Sequence, residues 1–297
     1  DFASHRGEAQ TPISTNYRGL DLIELPPNGQ GLTALVLVNI LENFDMKSLD
    51  PAGPDRFHLQ LEAARLAFAI RDTHIAEPSF MRVPVQKLID KAFAKKLAAK
   101  IDKTKRTALP PHPTPNSDTV YLTAADAHGN VISFIQSLFA SFGAGFVAGD
   151  TGITLQNRGA GFTLQAGHPN QVGPHKRPLH TLVPGMLMKN GRPWISFGVM
   201  GGDNQAQAHA QMVTKFVDFG MHVQEAGDSP RARHMGDALA ELGQVVAALP
   251  PGGHFVVFGQ HAQRGRGDGL VEAEHLVDLV EVGVDHLVRR VAEQCPL

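Results

Sequence analysis

The sequence predicts one layered α+β domain, with sheets inside and helices outside. Three observations predict it. The stretch before residue 118 carries helical periodicity, the stretch after it switches to short strands and glycine turns, and further helical segments follow. With 297 residues, 42% of them hydrophobic, the chain can bury a sizeable core. Its net charge of -2 offers no basic field for nucleic acid or an anionic membrane surface. The single cysteine, Cys295, excludes an intrachain disulfide and a cysteine-based zinc site. No apolar run reaches the length of about 18 residues that a membrane helix needs. The chain begins at Asp1 rather than methionine, so a targeting signal would lie upstream and the compartment stays open.

The elements follow in order. Thr15 to Gly19 is a turn signal, Leu20 to Leu25 a strand, and Pro26 to Gly31 a loop. Leu32, Leu35, Val36, Ile40 and Phe44 have helical spacing, although Leu35 to Val38 alone would pass for a strand. Arg56 to Thr73 is the clearest helix, with Phe57, Leu61, Ala64 and Phe68 on one face. A second helix is expected from Pro84 through Leu97, with Lys91, Lys95, Lys96 and Lys100 on a solvated face. The proline-rich stretch Leu109 to Ser117 can be neither helix nor central strand. After it, Thr119 to Ala125 and Val131 to Gln136 form a hairpin about His128-Gly129-Asn130. Leu182–Met188 and Pro193–Val199 form another, flanking the turn signal Asn190-Gly191. Asn204 to Phe219 is a helix with Ala208, Met212, Val213, Phe216 and Val217 as its core face and Asp203 as its N-cap. A short helix around Val223 to Gly227 follows.

Chemistry concentrates at the start of the first hairpin. A threonine with a free α-amine can act as nucleophile and base together. Thr119 could free itself if its hydroxyl attacked the carbonyl of Asp118. Gly201 and Gly202 lie between a strand and a helix, where backbone N–H groups can hold a developing oxyanion. Taken alone, the same residues also fit a strand-starting threonine and an ordinary strand-to-helix turn. Other patterns are weaker. Gly265 to Gly269 lacks the βαβ context of a dinucleotide site. His175 and His180 have no carboxylate near them to complete a metal site, so neither metal nor cofactor is expected.

The ordered motifs resemble the γ-glutamyltransferase (γ-glutamyltranspeptidase) family. They are Asp118-Thr119-Val120-Tyr121-Leu122, Phe142-Gly143-Ala144-Gly145, Leu155-Gln156-Asn157, Gly173 to Pro178, Met200-Gly201-Gly202 and Ser229-Pro230-Arg231. Upstream, Tyr17-Arg18-Gly19 and Glu62 to Ala69 match the end of the family's large subunit. The resemblance covers roughly residues 1–234. It implies a four-layer αββα N-terminal-nucleophile (Ntn) hydrolase fold, here incomplete. It also implies a precursor that cuts itself between Asp118 and Thr119 into subunits that stay together, with a homodimer possible. Residues 1–118 would then be the mainly helical end of the large subunit, 119–234 the catalytic core of the small one, and 235–297 a tail that does not match. The substrate would be a γ-glutamyl amide such as glutathione, and the acceptor water or an amine. By position Thr119 is the nucleophile, Ser137 its assisting hydroxyl, and Gly201 and Gly202 the oxyanion hole.

The departures fall on the substrate pocket. Gly161 stands where the family has the acid for the glutamyl α-amine, and Arg158 where a polar acceptor is usual. His180 and Thr181 replace a serine pair for the α-carboxylate, and Phe139 replaces an asparagine. These changes point to the divergent, acylase-like branch and to non-glutamyl amides as the alternative substrate. An inactive fragment that persists as a folded module is the other alternative. Beyond Met235 the family's final strands are not recognisable, and Val271 to Val291 reads as an amphipathic helix.

Overall fold

An antiparallel four-stranded sheet, ordered β1-β2-β5-β6, lies at the centre of the chain. It is built from β1 (Ile13–Tyr17), β2 (Leu20–Glu24), β5 (Pro184–Lys189) and β6 (Arg192–Gly198). The computed structural model describes residues 6–107, 109, 118–235 and 238–242. The proline-rich approach to Thr119, apart from residue 109, and the helix expected at Val271 to Val291 lie outside the described residues.

Helices α1 (Gly31–Leu41) and α5 (Asn204–Val217) cover one face of this sheet, and α2 (Pro54–His74) packs against both of them. The hairpin β3 (Asp118–Ala125) and β4 (Val131–Phe139) covers the other. Side-chain alternation on β6 establishes the layering. Phe197 packs against His209 of α5, with ring centroids 4.6 Å apart. Its neighbour Ser196 points the opposite way, and its hydroxyl lies 3.0 Å from that of Tyr121 on β3. A Cβ at Gly198 would sit 2.2 Å from the Tyr121 ring, so the hairpin can close on β6 only over a glycine. Among the described residues the layers are therefore helix, sheet and hairpin, three of the four in an αββα arrangement.

Most elements fall where the sequence places them. Pro54 occupies the first turn of α2, where its missing N–H is harmless. The segment Leu35 to Val38 is helical, and α1 is buried on every side, as an apolar helix without a polar face should be.

Three expectations need correction. The helix expected from Pro84 is two, α3 (Val85–Leu88) and α4 (Lys91–Ala98). The break comes at Asp90, whose carboxylate caps α4 by accepting the Phe93 N–H at 2.8 Å. Lys91 does not point simply to solvent: its ammonium donates to Glu42 and to the side chain of Asn39. The Asp203 side chain makes no capping bond and takes Arg71 at 2.6 Å instead.

Helix α5 is buried on both faces, not only along its apolar stripe. Its polar residues replace a missing strand. Gln207 and Gln211, one turn apart, each accept and donate with one residue of β7 (Arg231–Met235). The N–H of His234 donates to Gln207 at 2.8 Å, and that of Ala232 to Gln211 at 2.9 Å. The side-chain amides thus satisfy a strand edge that would otherwise be buried unpaired. α6 (Val223–Asp228) follows α5, and β7 pairs with β8 (Ala238–Leu242), a strand the sequence does not announce.

Candidate active site

Thr119 sits at an irregularity in the β3–β4 ladder. Asp118 faces Phe139 and Val120 faces Gln136. One residue of β3, Thr119, therefore opposes two of β4, Ser137 and Leu138, which is the geometry of a β-bulge. The bulge places Ser137 across from Thr119, and the Ser137 hydroxyl accepts the Phe139 N–H at 2.8 Å. Thr119 is buried, whereas Val120 beside it is exposed.

Beyond β4 the chain turns sharply, with φ at +83° for Phe139 and +44° for Ser141. Positive φ is unusual for a bulky residue and marks a backbone held by its surroundings. Asn157 supplies the hold. Its side-chain oxygen accepts the Ala140 N–H at 3.0 Å, its amide donates to Gly143 at 3.0 Å, and its own N–H donates to Leu138. The motif residue Asn157 thus shapes the return of the chain beside Thr119.

A cavity of about 350 Å³ opens next to this turn, lined by Phe139, Arg158, Gly161, Thr181, Arg71 and Asp203 among others. Thr119, Gly201 and Gly202 are outside its lining. They reach it through their neighbours: Phe139 pairs with Asp118, and Asp203 follows Gly202. Gly201 and Gly202 have φ of +113° and +59° and directly precede α5. Their carbonyls accept the N–H groups of Asn204 and Gln205.

The joint between cavity and glycine pair is Gln30, which the sequence reading passed over. Its amide nitrogen donates to Gly202 O at 2.9 Å and to Thr181 O at 3.0 Å. Its oxygen accepts from Arg71 at 2.9 Å, and Arg71 also binds Asp203. Burial opposes the charge of Arg71, but Asp203 and Asp72 keep its guanidinium firmly protonated. Nothing local marks Gln30 or Arg71, because their partners come from distant parts of the chain.

The expected substrate-contacting residues divide. Arg158, Gly161 and Thr181 line the cavity; His180 does not. The His180 ring lies against Gly29, and its Nδ1 accepts the Leu182 N–H at 3.2 Å. Its backbone bonds with Asn28 and Gln30, so the residue builds a seam rather than a pocket wall. Burial, with Arg158 and Arg177 nearby, pushes the imidazole down to about 4. Its stabilising contribution is complete above pH 6.5 and is lost as pH falls toward 4, because the unfolded chain takes the proton first. His180→Asn is therefore expected to reduce the acid loss of stability over that window by about 2 kcal/mol. Urea unfolding at several pH values measures it, and an unchanged acid slope would refute the assignment. Among the described residues no cluster could hold a metal ion, and no helix is long and apolar enough to cross a membrane.

The family model described as gamma-glutamyltranspeptidase matches residues 1–244. The chain belongs to this family. The match runs past residue 234, the end of the motif resemblance, and takes in β7 and β8. A glutathione hydrolase-like YwrD proenzyme of Bacillus subtilis is 44% identical over 232 residues, 78% of this chain and 44% of that protein. An oxamate amidohydrolase proenzyme of Klebsiella pneumoniae is 36% identical, over 78% of this chain and 43% of that protein. A cephalosporin acylase structure from Bacillus halodurans superposes with a TM-score of 0.71 at 42% identity, covering 79% of this chain and 42% of that one. The chain spans less than half the length of these relatives. Its fold is the mixed α/β architecture of Ntn hydrolases, and its family is one of self-processing amidohydrolases.

Proposed function

We propose that this chain carries the nucleophile, oxyanion loop and acyl pocket of a self-processing acylase acting on amides other than γ-glutamyl ones. Gly161 carries this reading. A Cβ there would meet the carbonyl oxygen of Leu179 at 2.5 Å, so the backbone leaves no room for an acid that would hold an α-ammonium. The two acids of the cavity, Asp72 and Asp203, are bound to Arg71. An amine head would enter the cavity without a carboxylate available to it, and burying an unpaired charge is costly. The amidohydrolase and acylase names among the relatives agree with this reading.

In processing, the Thr119 hydroxyl attacks the Asp118 carbonyl, the peptide bond gives way to an ester, and water releases Asp118 as a carboxylate with a free Thr119 α-amine. Residues 1–118 and 119–297 become separate pieces. They stay associated because β2 pairs with β5 across the cut, at Asp21↔Met188, Leu22↔Leu187 and Ile23↔Met186, within one shared core. In turnover, the α-amine takes the hydroxyl proton as Thr119 attacks the amide carbonyl. Ser137 orients the hydroxyl from across the bulge, and the N–H groups of Gly201 and Gly202 receive the oxyanion. The proton passes to the departing amine, and water resolves the acyl ester.

Comparing γ-glutamyl 4-nitroanilide with glutaryl 4-nitroanilide, which lacks only the α-amine, tests this reading. The glutaryl compound is expected to have the higher kcat/KM, and a clear glutamyl preference would sink the acylase assignment. Hydrolysis of neither would favour an inactive module. Gly161→Asp is expected not to create glutamyl activity but to lower stability by about 1–3 kcal/mol, since its Cβ displaces backbone. Chemical denaturation alongside the γ-glutamyl assay checks both halves of that statement.

A further inference from the structure

The motif Ser229-Pro230-Arg231 takes no part in the proposed chemistry, yet three buried cations gather on it. Arg56 of α2 and Lys215 of α5 are wholly buried, and Arg231, the first residue of β7, is nearly so. The Nη2 of Arg56 donates to Pro230 O at 2.9 Å. The Lys215 ammonium donates to Ser229 O at 2.8 Å and to Ala226 O at 2.9 Å. Two cationic heads therefore bind the carbonyls of adjacent residues, and a third cation is next in the chain.

Arg56 and Lys215 form no ion pair among the described residues. Asp50 favours the charge of Arg56 without pairing with it. The Nε and Nη1 of Arg56 are buried with no hydrogen-bond partner among the described residues, and its guanidinium lies 4.0 Å from the centroid of the Phe57 ring. Burial, with Arg56 and Arg231 close by, pushes the Lys215 ammonium down to about 7, and burial lowers the Arg56 guanidinium to about 10. Carbonyls and water can satisfy donors, but neither carries the negative charge that offsets like-charge repulsion in a desolvated place. An oxyanion supplies acceptors and charge together.

We infer that the seam between α2, α5 and β7 is an anion site, whose ligand is a carboxylate or phosphate group lying against Arg56 and Lys215. Two sources share this chemistry. One is a free small oxyanion. The other is a side-chain carboxylate from the chain beyond Leu242, which leaves β8 opposite Arg231. Arg56 precedes the proposed cut and Lys215 follows it, so the anion also ties the two pieces together. That consequence rests on the cut; the site itself does not.

Thermal unfolding of the full-length chain in low-salt buffer tests the site. Inorganic phosphate is added in the millimolar range, with sodium chloride at matched ionic strength as control. Phosphate is expected to raise the melting temperature by about 3–8 °C beyond chloride, and to saturate. Arg56→Gln and Lys215→Met should each remove the rise, whereas Arg158→Gln, in the cavity wall, should keep it. Both seam variants lose a buried like charge and are expected to fold, which far-UV circular dichroism checks. Each variant is compared with itself, so a lower starting stability does not hide the shift. A second arm exchanges the acids beyond Leu242 for their amides. If only that chain responds to phosphate, and does so through Arg56, the occupant is the chain's own carboxylate. No rise in either chain, a rise equal to that in chloride, or one that survives both Arg56→Gln and Lys215→Met overturns the proposal. Thr119→Ala should respond as the native chain does, so a failure to cut and a failure to bind an anion are separate results.

Discussion

Thr119→Ala is expected to leave the 297-residue chain whole, while the native chain separates into pieces of 118 and 179 residues. Intact-mass spectrometry distinguishes the two outcomes. In the proposed mechanism, the alanine variant lacks the group that would attack the Asp118 carbonyl and never exposes the α-amine that would serve as base. Both defects act on one nucleophile, so amide hydrolysis is expected to fall by at least about a thousandfold. Thr119→Ser keeps a hydroxyl in the same bulge and should still cut. The fold should survive the alanine change, because the sheet, the helices and the Asn157 clamp do not depend on the Thr119 hydroxyl. Cleavage of the alanine variant at the same bond would remove Thr119 from its assigned role. A native chain that stays whole and hydrolyses no amide would count against self-cleavage and favour an inactive folded module.

Arg71→Met carries the second large effect. Arg71 is buried and binds Asp203, Asp72 and Gln30 together. Truncating it strips a guanidinium from the Asp203 carboxylate in a dry environment, a change that typically costs about 3–5 kcal/mol. Gln30 then loses the donor that fixes its amide, and with it the clamp on Gly202 and Thr181. Urea denaturation should show the stability loss, and under the proposed function the surviving folded protein should lose kcat more than substrate affinity, because the proposed oxyanion loop at Gly201 and Gly202 loosens. A loss below about 1 kcal/mol would mean that the ion pair is well compensated elsewhere. The double change Arg71→Met with Asp203→Asn should recover part of the stability, since no buried carboxylate then remains without its guanidinium.

The fold was legible where local chemistry decides it. Asn190-Gly191 announces one hairpin and His128-Gly129-Asn130 the other; both form with the turns where the sequence puts them. Helices α1 and α2 follow from periodicity. The split at Asp90 was missed because apolar spacing continues through it, while the cap that ends one helix and starts the next depends on a single carboxylate. The stripe on α5 named its apolar half correctly. It gave no sign that Gln207, His209 and Gln211 are buried too, because their partners are a strand edge and Glu24 on another layer.

At the candidate site the sequence by itself determined the family, the cut at Asp118–Thr119 as an expectation, and the departures at Arg158, Gly161 and His180. Those depend on residue identity and motif order. Only the tertiary structure decided what each departure does. It turned His180 toward Gly29, closed Gly161 against a carbonyl, and left Arg158 in a cavity wall with its Nη2 unbonded among the described residues. It also brought in Gln30, bonded to Gly202 across 172 positions of sequence. Hydrogen bonds and buried charges are properties of groups that meet in space, and a linear reading can see the groups but not the meeting.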